Sequence, residues 1–262
     1  PPSPPPSLPP LPPPSGPPPP HPCSFLAAER IVWASFAHLG CLSLYKMDFQ
    51  QAKLTEASFI GVNASEANFE DALMNKAIFK RACCSRTRFR GSQMKMATLH
   101  NTDATNANFD GAMLEDASFL GALVAGATFI AAWMPKAKLI RSDASGSIFS
   151  YANLIEADFQ FAHLANAQFM EADLTKAKFG RASALNTSFR RAVLLDANFE
   201  DADLRGAHFE EADLTGSNFR GALVHEADLI FARGLSRVQC LEFTSPMAQQ
   251  PRRYSQTNCP PL

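Results

Sequence analysis

One residue class returns with a fixed beat through most of this 262-residue chain. From Phe49 to Leu229, every position numbered with a final 9 is Phe or Leu: 16 Phe and 3 Leu (Leu99, Leu139, Leu229). A small residue stands three places after each of these and, from Phe59 onward, two places before it. Between Ala52 and Ala232 there are 37 such small places, and all are Ala except Val62, Thr87, Ser92, Thr102, Ser142, Ser147, Thr187 and Ser217. The unit is therefore five residues long: small, variable, large apolar, variable, variable. Ala157-Asp158-Phe159, Ala172-Asp173-Leu174 and Ala202-Asp203-Leu204 open clean copies.

Few backbones accept a period of five. In an α-helix five residues advance by about 500°, which smears the apolar positions round the cylinder. In a flat strand the side-chain period is two, so an odd repeat throws alternate Phe residues onto opposite faces. The pattern is satisfied if the chain turns a corner every five residues. The small and large residues then point inward, the residue between them points outward, and the two after the large one make the bend. Such a chain is an all-β solenoid with short sides round a core and successive coils paired as parallel strands.

A longer period predicts four sides. Large positions ending in 4 alternate with period 20: Leu54, Met74, Met94, Leu114, Met134, Leu154, Leu174, Leu194 and Leu214 are all Leu or Met, whereas Ala64, Cys84, Ala104, Val124, Ala144, Leu164, Ala184, Leu204 and Val224 are mostly smaller. A 20-residue coil stacks Phe on Phe along two opposite sides, Leu or Met on a third and small residues on the fourth. A 15-residue triangle would stack Phe on Ala. About nine coils at a strand spacing of about 4.8 Å make a rod roughly 43 Å long.

The repeat resembles the A-(D/N)-L-x-x motif of pentapeptide-repeat proteins, with Leu or Phe at its centre, over residues 47–233. The resemblance implies a right-handed quadrilateral β-helix. Residues 24–46 read as an N-terminal capping helix and entry segment, the short helix running from Ser24 at an N-cap position through Phe25, Ile31, Val32 and Phe36 to Leu39. Gly234-Leu235-Ser236-Arg237-Val238-Gln239 resembles the segment that opens the family's closing helix, so residues 234–262 read as a C-terminal cap and tail. Capping matters because an open coil is a bare sheet edge. Residues 1–22 carry 15 of the 20 prolines, which excludes helix and central strand, so residues 1–23 read as a disordered, polyproline II-like leader. Its Pro-x-x-Pro spacings fit an SH3- or WW-type groove, though in so proline-rich a tract they arise by chance and a plain spacer is the simpler account.

Catalytic constellations are missing from the frame. The six histidines are scattered, and the nearest pair within the repeat, His208 and His225, falls on different sides, so no metal set is expected. Cys84 takes an inward position and Cys83 an outward one; no C-x-x-C occurs, and reduced thiols are expected. There is no phosphate loop and no nucleophile elbow. Hexapeptide-repeat acyltransferases need a period of six and a catalytic His. The reading is of a protein that is not an enzyme and needs no cofactor. No apolar run is long enough to span a bilayer.

Two surface features stand out. Lys76, Lys80, Arg81, Arg86, Arg88, Arg90 and Lys95 fall within one coil and form a candidate anion contact, though a solvated charge cluster is the simpler account. Met113, Leu120, Leu123, Ile130, Trp133, Ile140, Ile148, Tyr151, Ile155, Phe161 and Met170 are apolar at outward positions, and are expected to form a belt over three contiguous sides that either serves as a protein interface or is covered by the leader or by the C-terminal tail with Phe243 and Tyr254. The expected function is an interaction rod or scaffold that binds a protein partner or a second copy of itself. The alternative the resemblance brings is a DNA mimic regulating a topoisomerase such as gyrase, as some family members do with strongly acidic rods. Residues 53–233 hold 19 Lys+Arg against 22 Asp+Glu, which disfavours mimicry, and the near-neutral whole chain (24 against 25) weighs against nucleic-acid binding. The compartment is left open between cytoplasm and an organelle lumen such as the chloroplast's.

Overall fold

A computed structural model describes residues 43–235; the Pro-rich leader, the expected capping helix up to residue 42 and the expected cap and tail beyond residue 235 lie outside the described residues. Every residue numbered with a final 3 or 8 pairs in parallel with the residue 20 places further on, from Ser43↔Asn63 to Asp213↔Arg233. The chain thus closes a coil every 20 residues and has four flat faces. We label them β1 (Ser43 to Leu223), β2 (Asp48 to Asp228), β3 (Lys53 to Arg233) and β4 (Ser58 to Asn218), each a column of outward residues 20 apart. Residues 43–46 already keep this register, with Leu44 fully buried.

The core follows the expected columns. Behind β2, nine Phe rings from Phe49 to Phe209 stack with centroids 4.7–5.4 Å apart and planes within 10°. Behind β4, Phe59 and Phe79 stack at 4.4 Å, Leu99 and Leu139 interrupt the column, and Phe159 to Phe219 resume it at 4.8–5.0 Å. Rings of the two columns meet edge to face at 5.4–6.0 Å. Both geometries suit the aromatic quadrupole, whose negative face seeks a positive edge or an offset neighbour. Leu and Met fill the column behind β3, and the smaller series fills that behind β1. All seven hydroxyls at small positions are buried and bonded to carbonyls: Thr87 to Ala64, Thr102 to Phe79, Ser147 to Val124, Thr187 to Leu164, Ser217 to Leu194, Ser92 to Phe89 and Ser142 to Leu139. Their polar cost is thereby met.

Backbone bonding explains the repeat residue by residue. In the unit from Phe149, the Phe149 N–H donates to Gln168 O (2.7 Å), Tyr151 N–H to Met170 O (2.9 Å), Ala152 N–H to Phe149 O (3.1 Å) and Asn153 N–H to Ala132 O (2.9 Å). The fifth N–H, on the first corner residue, has no main-chain acceptor. Where the outward residue two places earlier is Asp or Asn, its Oδ1 takes that bond, as Asp158 does from Gln160 (3.0 Å) and Asp173 from Thr175 (3.0 Å). Fourteen described repeats do so, which is the physical content of the D/N in the motif.

Each corner is a turn closed by an N–H bond to the carbonyl three residues back, with φ positive only at its second corner residue, the requirement of a type II turn. From Lys46 to Phe231 these left-handed residues number 38, of which 29 are not glycine and none is Val, Ile or Thr. A β-branched side chain collides with its own backbone at φ near +60°. The first corner residue carries no such demand and takes Ile60, Ile130, Ile140, Ile155 and Pro135.

Candidate protein-binding surface

With the interior largely set by the repeat, outward and corner side chains carry most of what distinguishes one coil's surface from another's. On β3, Met113 and Trp133 are direct bridge partners and stand 47% and 46% exposed. The corner between β2 and β3 adds Ile130, Tyr151 and Met170, β2 adds Ile148, and the corner between β3 and β4 adds Pro135 and Ile155. Tyr151 is 52% exposed, while Ile148, Ile155 and Met170 are half-buried because neighbouring coils cover their flanks. These residues make one continuous apolar surface centred on a single corner of the rod.

The expected belt over three contiguous sides does not form. Leu120, Ile140 and Phe161 lie at the corner between β4 and β1, beside Leu123 on β1, and the β4 face before them presents Ser118, Lys138 and Asp158. Ile140 is half-buried. The five-residue frame assigns these side chains to the third side, but they are corner residues beyond its polar outer row. Phe161 is also occupied: the Arg141 guanidinium, one coil before, and that of Arg181, one coil after, lie 5.6 and 5.8 Å from its ring centroid. Arg181 in turn pairs with Asp201 (3.4 Å). The open apolar surface is therefore the β2–β3 corner.

The basic coil does not converge on one point. Lys76 and Lys95 sit at the β3–β4 corner, Lys80 and Arg81 at β4–β1, Arg86 at β1–β2, Arg88 on β2 and Arg90 at β2–β3. Lys76 pairs with Glu56 (3.0 Å), Arg88 with Glu70 (3.5 Å) and Lys95 with Glu115 (2.8 Å), carboxylates that reach in from neighbouring coils. Elsewhere the corners carry ion-pair ladders, notably Glu171–Arg191–Glu211 at 3.7 and 3.0 Å. Arg191 holds the Glu211 carboxyl below its ordinary range, and Arg205, 2.7 Å from Asp203, does the same there. A shallow groove lined by Glu171, Arg191, Val193, Glu211, Asp213 and Arg233 is thus largely self-neutralised. One group escapes the sequence reading, which compares histidines only with one another: His208 lies beside Glu210 and Asp228. Among the described residues no helix is long and apolar enough to cross a membrane.

Cys83 and Cys84 test the inside–outside alternation chemically. Cys84 is fully buried behind β1, where desolvation pushes its thiol far up, while Cys83 is exposed on the same face. Iodoacetamide at neutral pH should label Cys83 in the native protein and reach Cys84 only after unfolding, with tandem mass spectrometry placing the adduct. Native labelling of Cys84 at the rate of Cys83 would contradict the placement.

A family model described as pentapeptide repeats matches in 8 copies, with matched segments 44–81, 82–121, 125–160, 152–191, 172–210 and 185–221. Among solved structures, a trypsin-treated variant of QnrB1, a plasmid-mediated fluoroquinolone resistance protein, aligns with a TM-score of 0.54 at 18% identity, over 76% of this chain and 90% of that one. HetL, a pentapeptide repeat protein involved in heterocyst differentiation regulation from the cyanobacterium Nostoc sp. strain PCC 7120, aligns with a TM-score of 0.44 at 24% identity, over 78% and 85%. No curated protein sequence matches significantly.

Proposed function

The chain belongs to the pentapeptide-repeat family, and from that premise we propose that it is a non-enzymatic interaction rod presenting its β2–β3 corner to a protein partner. The supporting observation is the apolar surface built on the stacked Met113–Trp133 pair and flanked by Ile130, Tyr151, Met170 and Ile155. Contiguous apolar surface is unfavourable unless covered, and on the same corner the coils after Met170 carry the Glu171–Arg191–Glu211 ion pairs instead. Trp and Tyr are the residue types that most often anchor interfaces, since they bury much area at little cost in rotamer entropy. The DNA-mimic alternative fits less well, because 19 basic side chains offset 22 acidic ones along residues 53–233 and the rod lacks the dense negative charge such mimicry uses.

The test is the double substitution Trp133→Ser with Ile155→Ser in the full chain. Both side chains project from the rod, so circular dichroism and the melting temperature should stay close to those of the unsubstituted protein. Proteins captured by the unsubstituted chain, or its own dimer measured by light scattering, should be lost. A double variant that retains the same associations would overturn the assignment.

A further inference from the structure

We propose that His208, Glu210 and Asp228 form a binding site for a divalent transition-metal ion of the zinc class, near the C-terminal end of the described rod. One ligand atom from each lies within 4.8 Å of the others. His208 and Asp228 are bridge partners on β2, one coil apart, and Glu210 follows His208 by two residues at the adjoining corner. The backbone that carries them is pinned: His208 N–H donates to Thr187 O (2.9 Å), Asp228 N–H to Ala207 O (2.8 Å) and Phe209 N–H to Asp228 O (2.7 Å). A preorganised set of donors needs only side-chain rotation to close on an ion. Ligand atoms about 2.1 Å from a tetrahedral zinc ion stand about 3.4 Å apart, a modest contraction from the present spacing.

The second observation is an unmet polar atom. Oε2 of Glu210 is buried and makes no hydrogen bond, a condition shared among the described residues only by the Thr128 hydroxyl. Oε1 of the same carboxylate lies 3.7 Å from His208 Nδ1 and 3.9 Å from Arg190 Nε, beyond ordinary hydrogen-bond lengths. Asp228 uses Oδ1 to accept the Ile230 N–H (2.9 Å), which leaves its second oxygen for a ligand. A buried carboxylate oxygen without a donor is costly, and a bound cation removes that cost. One imidazole nitrogen with carboxylate oxygens suits zinc, cobalt or nickel better than soft copper(I) or the all-oxygen preference of calcium. Such an ion would clasp two successive coils just before the described ladder ends at Arg233.

Zinc titration of the full chain by calorimetry, with melting curves in parallel, tests the site. The unsubstituted protein should bind zinc and melt at a higher temperature with it. His208→Ala and Glu210→Gln, each folded by circular dichroism, should weaken zinc binding by about tenfold or more and lose the melting shift. Cobalt should bind without a thiolate-to-metal absorption band. Zinc affinity and melting shifts unchanged in both variants, or a thiolate band in the cobalt spectrum, would overturn the proposal.

Discussion

Phe149→Ala should destabilise the rod by about 3–5 kcal/mol, because it combines lost burial with a cavity that the surrounding structure cannot close. Phe149 has no exposed surface and lies in the interior of the ring column behind β2. It stacks on Phe129 at 4.7 Å and on Phe169 at 4.8 Å, and its ring meets Phe159 edge to face at 5.7 Å. Coil spacing is fixed by ladder hydrogen bonds on every face, so neighbouring rings cannot slide together to fill the gap. The measurement is the denaturant midpoint at unchanged slope. Thr175→Ala, which removes a corner hydroxyl bonded to Asp173 together with its γ-methyl, is the reference and should shift stability by no more than about 0.5 kcal/mol. A Phe149→Ala midpoint equal to that of Thr175→Ala would refute the core assignment.

Ala157→Leu should be harmful for the opposite reason, at about 3 kcal/mol, the upper end of ordinary overpacking. Ala157 is fully buried, with Ala137 and Ala177 in the same place one coil to either side, all without exposed surface. Its N–H closes a corner to Leu154 O (3.0 Å) and its carbonyl accepts from Lys178 (2.9 Å), so the backbone cannot retreat from a larger side chain. The added carbons must displace Leu154 or Phe159. The same denaturant series checks it, and a Leu that left the midpoint unchanged would show the corner to be roomier than the structure has it.

The interior is readable from the sequence because it depends on a periodicity that nothing local interrupts. The five-residue frame and the twenty-residue alternation of sizes are enough to place Phe49 over Phe69 and Leu54 over Met74. The corners are less legible. The absence of Ile and Thr from every second corner position, against five Ile and four Thr one residue earlier, is a sequence signal of left-handed backbone, but it appears only when the columns are read for what they exclude. The Asp and Asn of the motif read merely as outward residues, because a missing main-chain acceptor is invisible until the ladder bonds are counted. Surface continuity is least legible. Whether Leu120 and Ile155 share a patch depends on the polarity of the face between them, and the outward row Ser118, Lys138 and Asp158 separates them.

The 20-residue closure also sets the unit in which such a chain can change length. Duplication or loss of 20 residues would return every column to its partner, with Phe still on Phe, and move the two ends apart or together by one coil without rotating them. A change of five residues keeps the local motif intact yet turns everything downstream by a quarter, setting Phe against Leu columns at the junction and aiming the distal surface at a different neighbour. Slippage during replication of so repetitive a gene therefore has two very different outcomes. Whole-coil events are structurally silent adjustments of reach, while single-repeat events re-aim half the molecule, and a surface confined to a few coils, as that from Met113 to Met170 is, stays coherent only if none falls inside it.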